Sequence, residues 1–283
     1  MIPAARRFLT PVALTCFCLV GASRALGQDA SDWDKESHAE ARLIAGSLIK
    51  AGDLAYFNAG IEIRLDPGWK TYWRDPGDSG VPPSFDFGGS ENVKSVSIEW
   101  PAPERFPDGA GGYSVGYVDR VILPLHVAPV SAAKPALLHL KLSYAICGNL
   151  CVPAEAILAL VLSGLGGDEA VIEEEERRVP QHLALGAGKD LVIRAVHRVS
   201  SGEREHVNVD VAARPGAQVE LFVEGPTPDW ALPLPAETAV DGALHRFSFD
   251  LDGLPPGARA QGADLTLTAV AGQEAIEVPV HLD

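Results

Sequence analysis

The sequence predicts an all-β protein of two sandwich domains joined by a short helical linker. Three observations point there. Along most of the chain apolar residues alternate with polar ones, the period of a half-buried strand. Proline and glycine clusters interrupt these runs: Pro67 and Gly68, Pro76 and Gly77, Pro82 and Pro83, and Gly109 to Gly112. One stretch, 168–178, abandons the alternation for helix formers. At 283 residues the chain has room for two cores.

Taken in order, residues 1–27 read as a secretory signal peptide. Arg6 and Arg7 precede an apolar stretch from Phe8 to Val20, and small residues lead to Ala25, Leu26 and Gly27. Cleavage is expected near Gly27, and Cys16 and Cys18 leave with the peptide. Beyond it no apolar run approaches the ~20 residues of a membrane helix. The longest, Ala156 to Leu165, has the length of a buried strand. The mature protein is therefore expected outside the cytoplasm, in the periplasm, without stable membrane insertion. Removing residues 1–27 with their three arginines takes the formal charge from −15 to −18, which argues against a nucleic-acid partner.

Residues 28–37 are polar and expected to be loose. The first sandwich, 28–165, then unfolds as strands. Ile61, Ile63 and Leu65 share a face, as do Val121, Leu123, Leu125 and Val127, and then Leu138, Leu140, Leu142 and Tyr144. Ile157 to Leu162 is apolar on both faces, as in a central strand. The linker, 166–189, contains the helix. Asp168 stands at its N-cap position, acids fill its first turns, Arg177 and Arg178 end it, and Pro180 stops it; its acidic surface reads as solvated. In 190–283 alternation resumes at Val192, Val207, Val219, Phe247, Leu265 and Ile276. These are about six short strands, the size of an immunoglobulin-like sandwich.

The chemistry-bearing feature is Cys147 and Cys151, the cysteines that outlast the signal peptide. A strand ending near Tyr144 runs into Cys147, another starts near Cys151, and Gly148 and Asn149 tolerate positive φ. The pair thus flanks a tight turn, where a disulfide can form. So small a loop removes little unfolded-state entropy. Composition alone favours a structural bridge; a redox centre is the alternative.

The segment from about Ser37 to Leu162 resembles the N-terminal periplasmic domain of the DsbD and ScsB thiol:disulfide interchange proteins. The resemblance is carried by His38 to Ala45, by Leu65 to Arg74 with Gly68, Trp69, Tyr72 and Trp73, by Tyr117, Asp119, Arg120, Leu123 and Pro124, and by Ser143, Tyr144, Cys147, Cys151, Pro153 and Glu155. It implies an immunoglobulin-like fold for the first sandwich. It also implies that Cys147 and Cys151 are a redox-active disulfide relaying electrons from a membrane-embedded thiol reductase, here a separate chain, to periplasmic thioredoxin-like proteins. The family shields its disulfide with an aromatic-tipped loop. The corresponding region is Phe106 to Tyr113, with Tyr113 as the cap, and Trp69, Tyr72 and Tyr144 are expected around the pair. A place in cytochrome c maturation or copper tolerance is implied as well. No charged residue neighbours Cys147 in sequence, so any activation of its thiol must come from residues folded against it.

Other constellations carry less. His126, His139, His197 and His245 fall in predicted strands and read as packed or surface histidines. A Cys-x3-Cys pair suits copper(I), but Met1 is the one methionine and leaves with the signal. Trp69, Tyr72, Trp73 and Trp100 read as core and rim rather than a ligand cage. No hydrolase or phosphate-binding motif occurs. No cofactor or metal is expected. The remaining alternatives are a non-catalytic binding or scaffold protein with a structural disulfide and a copper(I)-binding copper-tolerance protein.

Overall fold

A computed structural model describes residues 29–283 except 53, 110, 149, 202 and 203. The expected signal peptide, its cleavage site, Cys16 and Cys18 lie outside the described residues. Among those described, no helix is long and apolar enough to cross a membrane.

The strands are β1 (Asp34–Lys35), β2 (Ala39–Ala51), β3 (Leu54–Leu65), β4 (Lys70–Gly77), β5 (Ser84–Asp86), β6 (Val93–Ile98), β7 (Glu104–Pro107), β8 (Tyr113–Val118), β9 (Arg120–Pro129), β10 (Ala136–Cys147) and β11 (Cys151–Leu162). After the helix α1 (Glu169–Glu176) come β12 (Gln181–His182), β13 (Val192–Ser201), β14 (Arg204–Ala212), β15 (Glu220–Glu224), β16 (Ala236–Asp241), β17 (Leu244–Asp250), β18 (Asp264–Ala271) and β19 (Glu274–His281). They form four sheets, ordered β1-β2-β3-β9-β6, β11-β10-β4-β8-β7 with β5 on β10, β12-β19-β18-β15, and β13-β14-β17-β16. Pairing is antiparallel except between β12 and β19.

Each pair of sheets encloses a core built from the alternating residues. Leu43, Ile61, Leu123, Leu138 and Leu142 fill the first, and Val207, Val209, Phe247, Leu267 and Val278 the second. Phe222 of β15 is the exception: it belongs to the first core, with its ring 5.9 Å from Trp73. The second pair has strands with no counterpart in the alternation. In β16 every residue is exposed, so nothing apolar marks it.

Three local expectations are corrected. Residues 29–37 are tied down rather than loose. β1 pairs with β2, and Trp33 lies between the guanidinium groups of Arg42 and Arg64, at 4.4 and 4.5 Å. These arginines and Arg120 also converge on buried Glu62, at 2.8, 2.9 and 3.0 Å. Burial alone would raise the Glu62 pKa, but Arg42 and Arg120 outweigh it and hold the carboxyl below its ordinary value.

The helix is not solvated on every side. Ile172 is fully buried against Ile44 and Ile122, on the outer face of the first sheet. Glu176 takes His126 Nε2 at 2.9 Å. Asp168 makes no side-chain cap. Instead the Glu169 carboxylate accepts the Ser47 N–H, and Asn58 Nδ2 at 3.1 Å.

β11 is an edge strand, not a central one, and its outward row is open: Ile157 and Val161 are 72% and 46% exposed. The edge-facing N–H of Ile157 donates to Asp34 Oδ2 at 2.9 Å.

Candidate redox site

β10 and β11 pair without a break from Ala136↔Leu162 to Cys147↔Cys151, so the cysteines face each other across the last rung of a long hairpin. Their Cα atoms are 4.1 Å apart and the sulfurs are bonded. The turn closes with the Gly148 N–H donating to the Leu150 carbonyl at 3.1 Å. Gly148 is needed for space rather than for a positive φ: a Cβ there would lie 2.9 Å from the Trp69 indole. The indole in turn stacks on His38, with centroids 3.8 Å apart, and His38 Nδ1 meets Asp66 at 2.9 Å.

The other side of β10 is β4, with Lys70 opposite Cys147 and Thr71 opposite Ile146. Period two then puts Lys70, Tyr72 and the cysteines on the outer face, while Trp73 goes into the core. The Tyr72 hydroxyl lies 2.9 Å from Cys147 Sγ and 3.3 Å from Cys151 Sγ. Burial raises the Tyr72 pKa, with a hydrogen bond to Ser114 opposing and Asp108 adding to the rise, so the phenol stays protonated and able to donate. Lys70 places its ammonium 4.4 Å over the Phe106 ring. Phe106 stands on β7, on the far side of β4 from β10, so the ammonium leans away from the cysteine opposite it.

Two loops meet over the tyrosine. The backbone at Gly80 lies so close to the ring that a Cβ would sit 2.5 Å from it. Ser79 Oγ joins this loop to Asp108 at 3.1 Å and to Ser114 at 3.2 Å, and Asp108 accepts the Gly112 N–H at 3.0 Å. Cys147 is 6% exposed beneath this cover, whereas Cys151 stands open to solvent. Beside Cys151 a groove of 560 Å³ runs between Trp69, Lys70, Gly148, Leu150 and Val152.

Of the four aromatic residues expected around the pair, Tyr72 touches both sulfurs and Trp69 supports the turn. Tyr144 faces the core, where burial pushes its hydroxyl far above the ordinary value and leaves it without a partner. Tyr113 is 45% exposed, with its N–H on Asp78 at 2.9 Å and its ring 5.7 Å from the Arg105 guanidinium. The ring that meets the sulfurs thus comes from strand β4, not from the 106–113 loop. Among the described residues no group of three or more His, Cys, Asp or Glu is placed to hold a metal.

Further along β4, burial lifts Asp75 from 3.8 to about 6; the Gly77 N–H opposes the rise, Glu224 adds to it, and Arg74 lowers it. A carboxyl whose folded pKa lies above its unfolded one binds its proton more tightly when folded. Its contribution thus favours folding below pH 4 and is lost as pH rises to about 6. Asp75→Asn keeps the oxygen that accepts the Gly77 N–H at 3.0 Å. It is expected to gain about 1–2 kcal/mol over the parent at pH 7.5 and nothing at pH 4. Urea unfolding at the two pH values measures this, and an equal gain at both would refute the burial account.

Residues 47–163 match the family model of the thiol:disulfide interchange protein DsbD, N-terminal. The crystal structure of the N-terminal periplasmic domain of ScsB from Proteus mirabilis has the same fold, with a TM-score of 0.70 at 23% sequence identity, covering 90% of this chain and 98% of that one. No curated protein matches the chain. The match to the DsbD N-terminal domain of the thiol:disulfide interchange proteins thus runs from the middle of β2 to the end of the cysteine hairpin, the segment that carries Cys147 and Cys151.

Proposed function

We propose that this chain is a periplasmic thiol:disulfide interchange protein. In this reading Cys147 and Cys151 relay reducing equivalents from a separate membrane-embedded thiol reductase to thioredoxin-like proteins. Residues 28–165 form the immunoglobulin-like redox domain, 166–189 the helical linker and 190–283 a second immunoglobulin-like sandwich. Residues 1–27 are the export signal. The observation that carries the reading is the unequal setting of the two sulfurs: Cys151 is open, and Cys147 is covered with a phenol hydroxyl 2.9 Å away.

That asymmetry sets the order of steps. A thiolate of the reduced donor attacks Cys151 Sγ, the accessible sulfur, in line with the S–S bond. The bond breaks and its electron pair leaves on Cys147 Sγ. Tyr72 donates its hydroxyl proton in a hydrogen bond to that thiolate. The donor's second thiolate then attacks its own sulfur in the mixed disulfide. Cys151 is released as a thiolate, the donor is oxidised to a disulfide and this protein is reduced by two electrons. In the second half Cys151 attacks the acceptor's disulfide, and Cys147 attacks Cys151 Sγ to free the reduced acceptor and restore the bridge.

A structural staple and a relay differ in reduction potential. Equilibration with glutathione buffers is expected to place the Cys147–Cys151 couple well above about −300 mV, within reach of thioredoxin-like proteins. A couple below that value would favour the scaffold with a structural disulfide.

A further inference from the structure

β4 does not end at the disulfide; it runs on into the second pair of sheets. Two residues past Tyr72, the Arg74 guanidinium takes both carboxylate oxygens of Glu224 on β15, at 2.8 and 2.7 Å, and also Glu277 on β19. Its plane lies 4.3 Å over the Trp73 ring. Glu277 also holds His182 at 3.1 Å. Three residues further, Leu234 Cδ1 lies 3.2 Å from where a Gly77 side chain would begin. Gly77 is the root of the loop whose Gly80 backbone rests on the Tyr72 ring. The second sandwich therefore grips β4 at Arg74 and the covering loop at its base, on either side of Tyr72 in the chain of contacts.

We propose that the second sandwich is a positioning domain for the disulfide. Glu224, Glu277 and Leu234 fix Arg74 and Gly77, and through them hold the Tyr72 hydroxyl on Cys147 Sγ. The proposal deepens the exchange reading above and rests on it for its purpose. Physically it follows from two facts. A guanidinium half-buried between two carboxylates is expensive to leave unpaired, so β4 stays registered to β15 and β19. A hydrogen bond to sulfur fades within a few tenths of an ångström, so a small shift of β4 is enough to lose it. Glu224, Glu277, Arg74 and Leu234 touch neither sulfur. They are positioning residues, whereas Tyr72 is in direct contact.

The test reads the glutathione equilibrium of the Cys147–Cys151 couple in the mature chain, a quantity that a merely structural contact leaves alone. Tyr72→Phe removes the hydroxyl that stabilises the thiolate, and is expected to shift the equilibrium towards the disulfide by roughly tenfold, about 30 mV for two electrons. Glu224→Gln with Glu277→Gln is expected to shift it the same way by roughly three- to tenfold. Combined with Tyr72→Phe, the pair should add little, because both routes remove one interaction. An unchanged equilibrium in the glutamine pair, or full additivity with Tyr72→Phe, would overturn the proposal. If the glutamine pair does not fold, Leu234→Ala loosens the Gly77 contact without touching the buried charges and is held to the same criteria. The exchange reading fails separately, by the absence of mixed disulfides with any partner; a coupled shift in its absence would leave the positioning intact and remove only its purpose.

Discussion

Cys147→Ser is expected to lock a thioredoxin-like protein or a membrane reductase onto Cys151, while Cys151→Ser captures far less or nothing. The difference comes from access. In the folded protein Cys147 is buried under Tyr72 and the Gly77–Gly80 loop, whereas Cys151 is an exposed residue. A mixed disulfide must form at the sulfur that an incoming protein can reach, and with Cys147 gone nothing within the chain can resolve it. Electron transfer through either variant should drop by roughly 10³-fold or more, the scale on which loss of a nucleophile costs a catalyst. Non-reducing electrophoresis of the periplasmic fraction, with mass spectrometry of the shifted bands, is the measurement. Capture through Cys147 rather than Cys151 would reverse the assigned order, and capture through neither would remove the relay altogether.

Trp73→Ala is expected to cause the largest loss of stability among single substitutions near the site, about 3–5 kcal/mol. Trp73 is fully buried in the first core, carries Arg74 on one side and meets Phe222 of β15 at 5.9 Å. Truncating it leaves a cavity where the two cores meet, and it unseats the arginine that joins them. Urea titration should show a fall in midpoint with little change in slope. A double cycle with Phe222→Ala should return a coupling of about 1 kcal/mol. A loss below about 1 kcal/mol for Trp73→Ala would contradict the packing described here.

The long strands are legible in the sequence where apolar residues alternate: β10 and β14 bury one face, while β3 keeps the period although both of its faces are buried around Glu62. β3, β10 and β14 show their period in Ile61 and Ile63, in Leu138 to Tyr144, and in Val207 to Val211. β16 is illegible for the opposite reason, having no buried face to mark it. β11 misleads. Its apolar run reads as a strand covered on both sides, yet one side is open, because hydrophobicity records what a residue tolerates and not what covers it. The cysteine pair stands out as chemistry, since nothing else in the mature chain shares it. What activates it does not stand out. Tyr72 reaches the sulfurs only through the register of β4 on β10, a pairing between distant segments that no local pattern encodes. The cover over the pair is likewise made by a tyrosine on a strand and a glycine passing above it.

The exposed row of β11 leaves an open sheet border with an apolar flank. A flank of apolar side chains beside unpaired amides is a template on which strands of neighbouring copies stack without limit. Three small devices blunt it. Asp34 occupies the Ile157 amide; Pro153, in phase with it along the strand, offers no amide; and the Lys141–Glu155 pair sets opposite charges into the row. One of the three thus comes from the tethered N-terminal segment, so residues 29–37 close part of the border of the second sheet as well as extending the first.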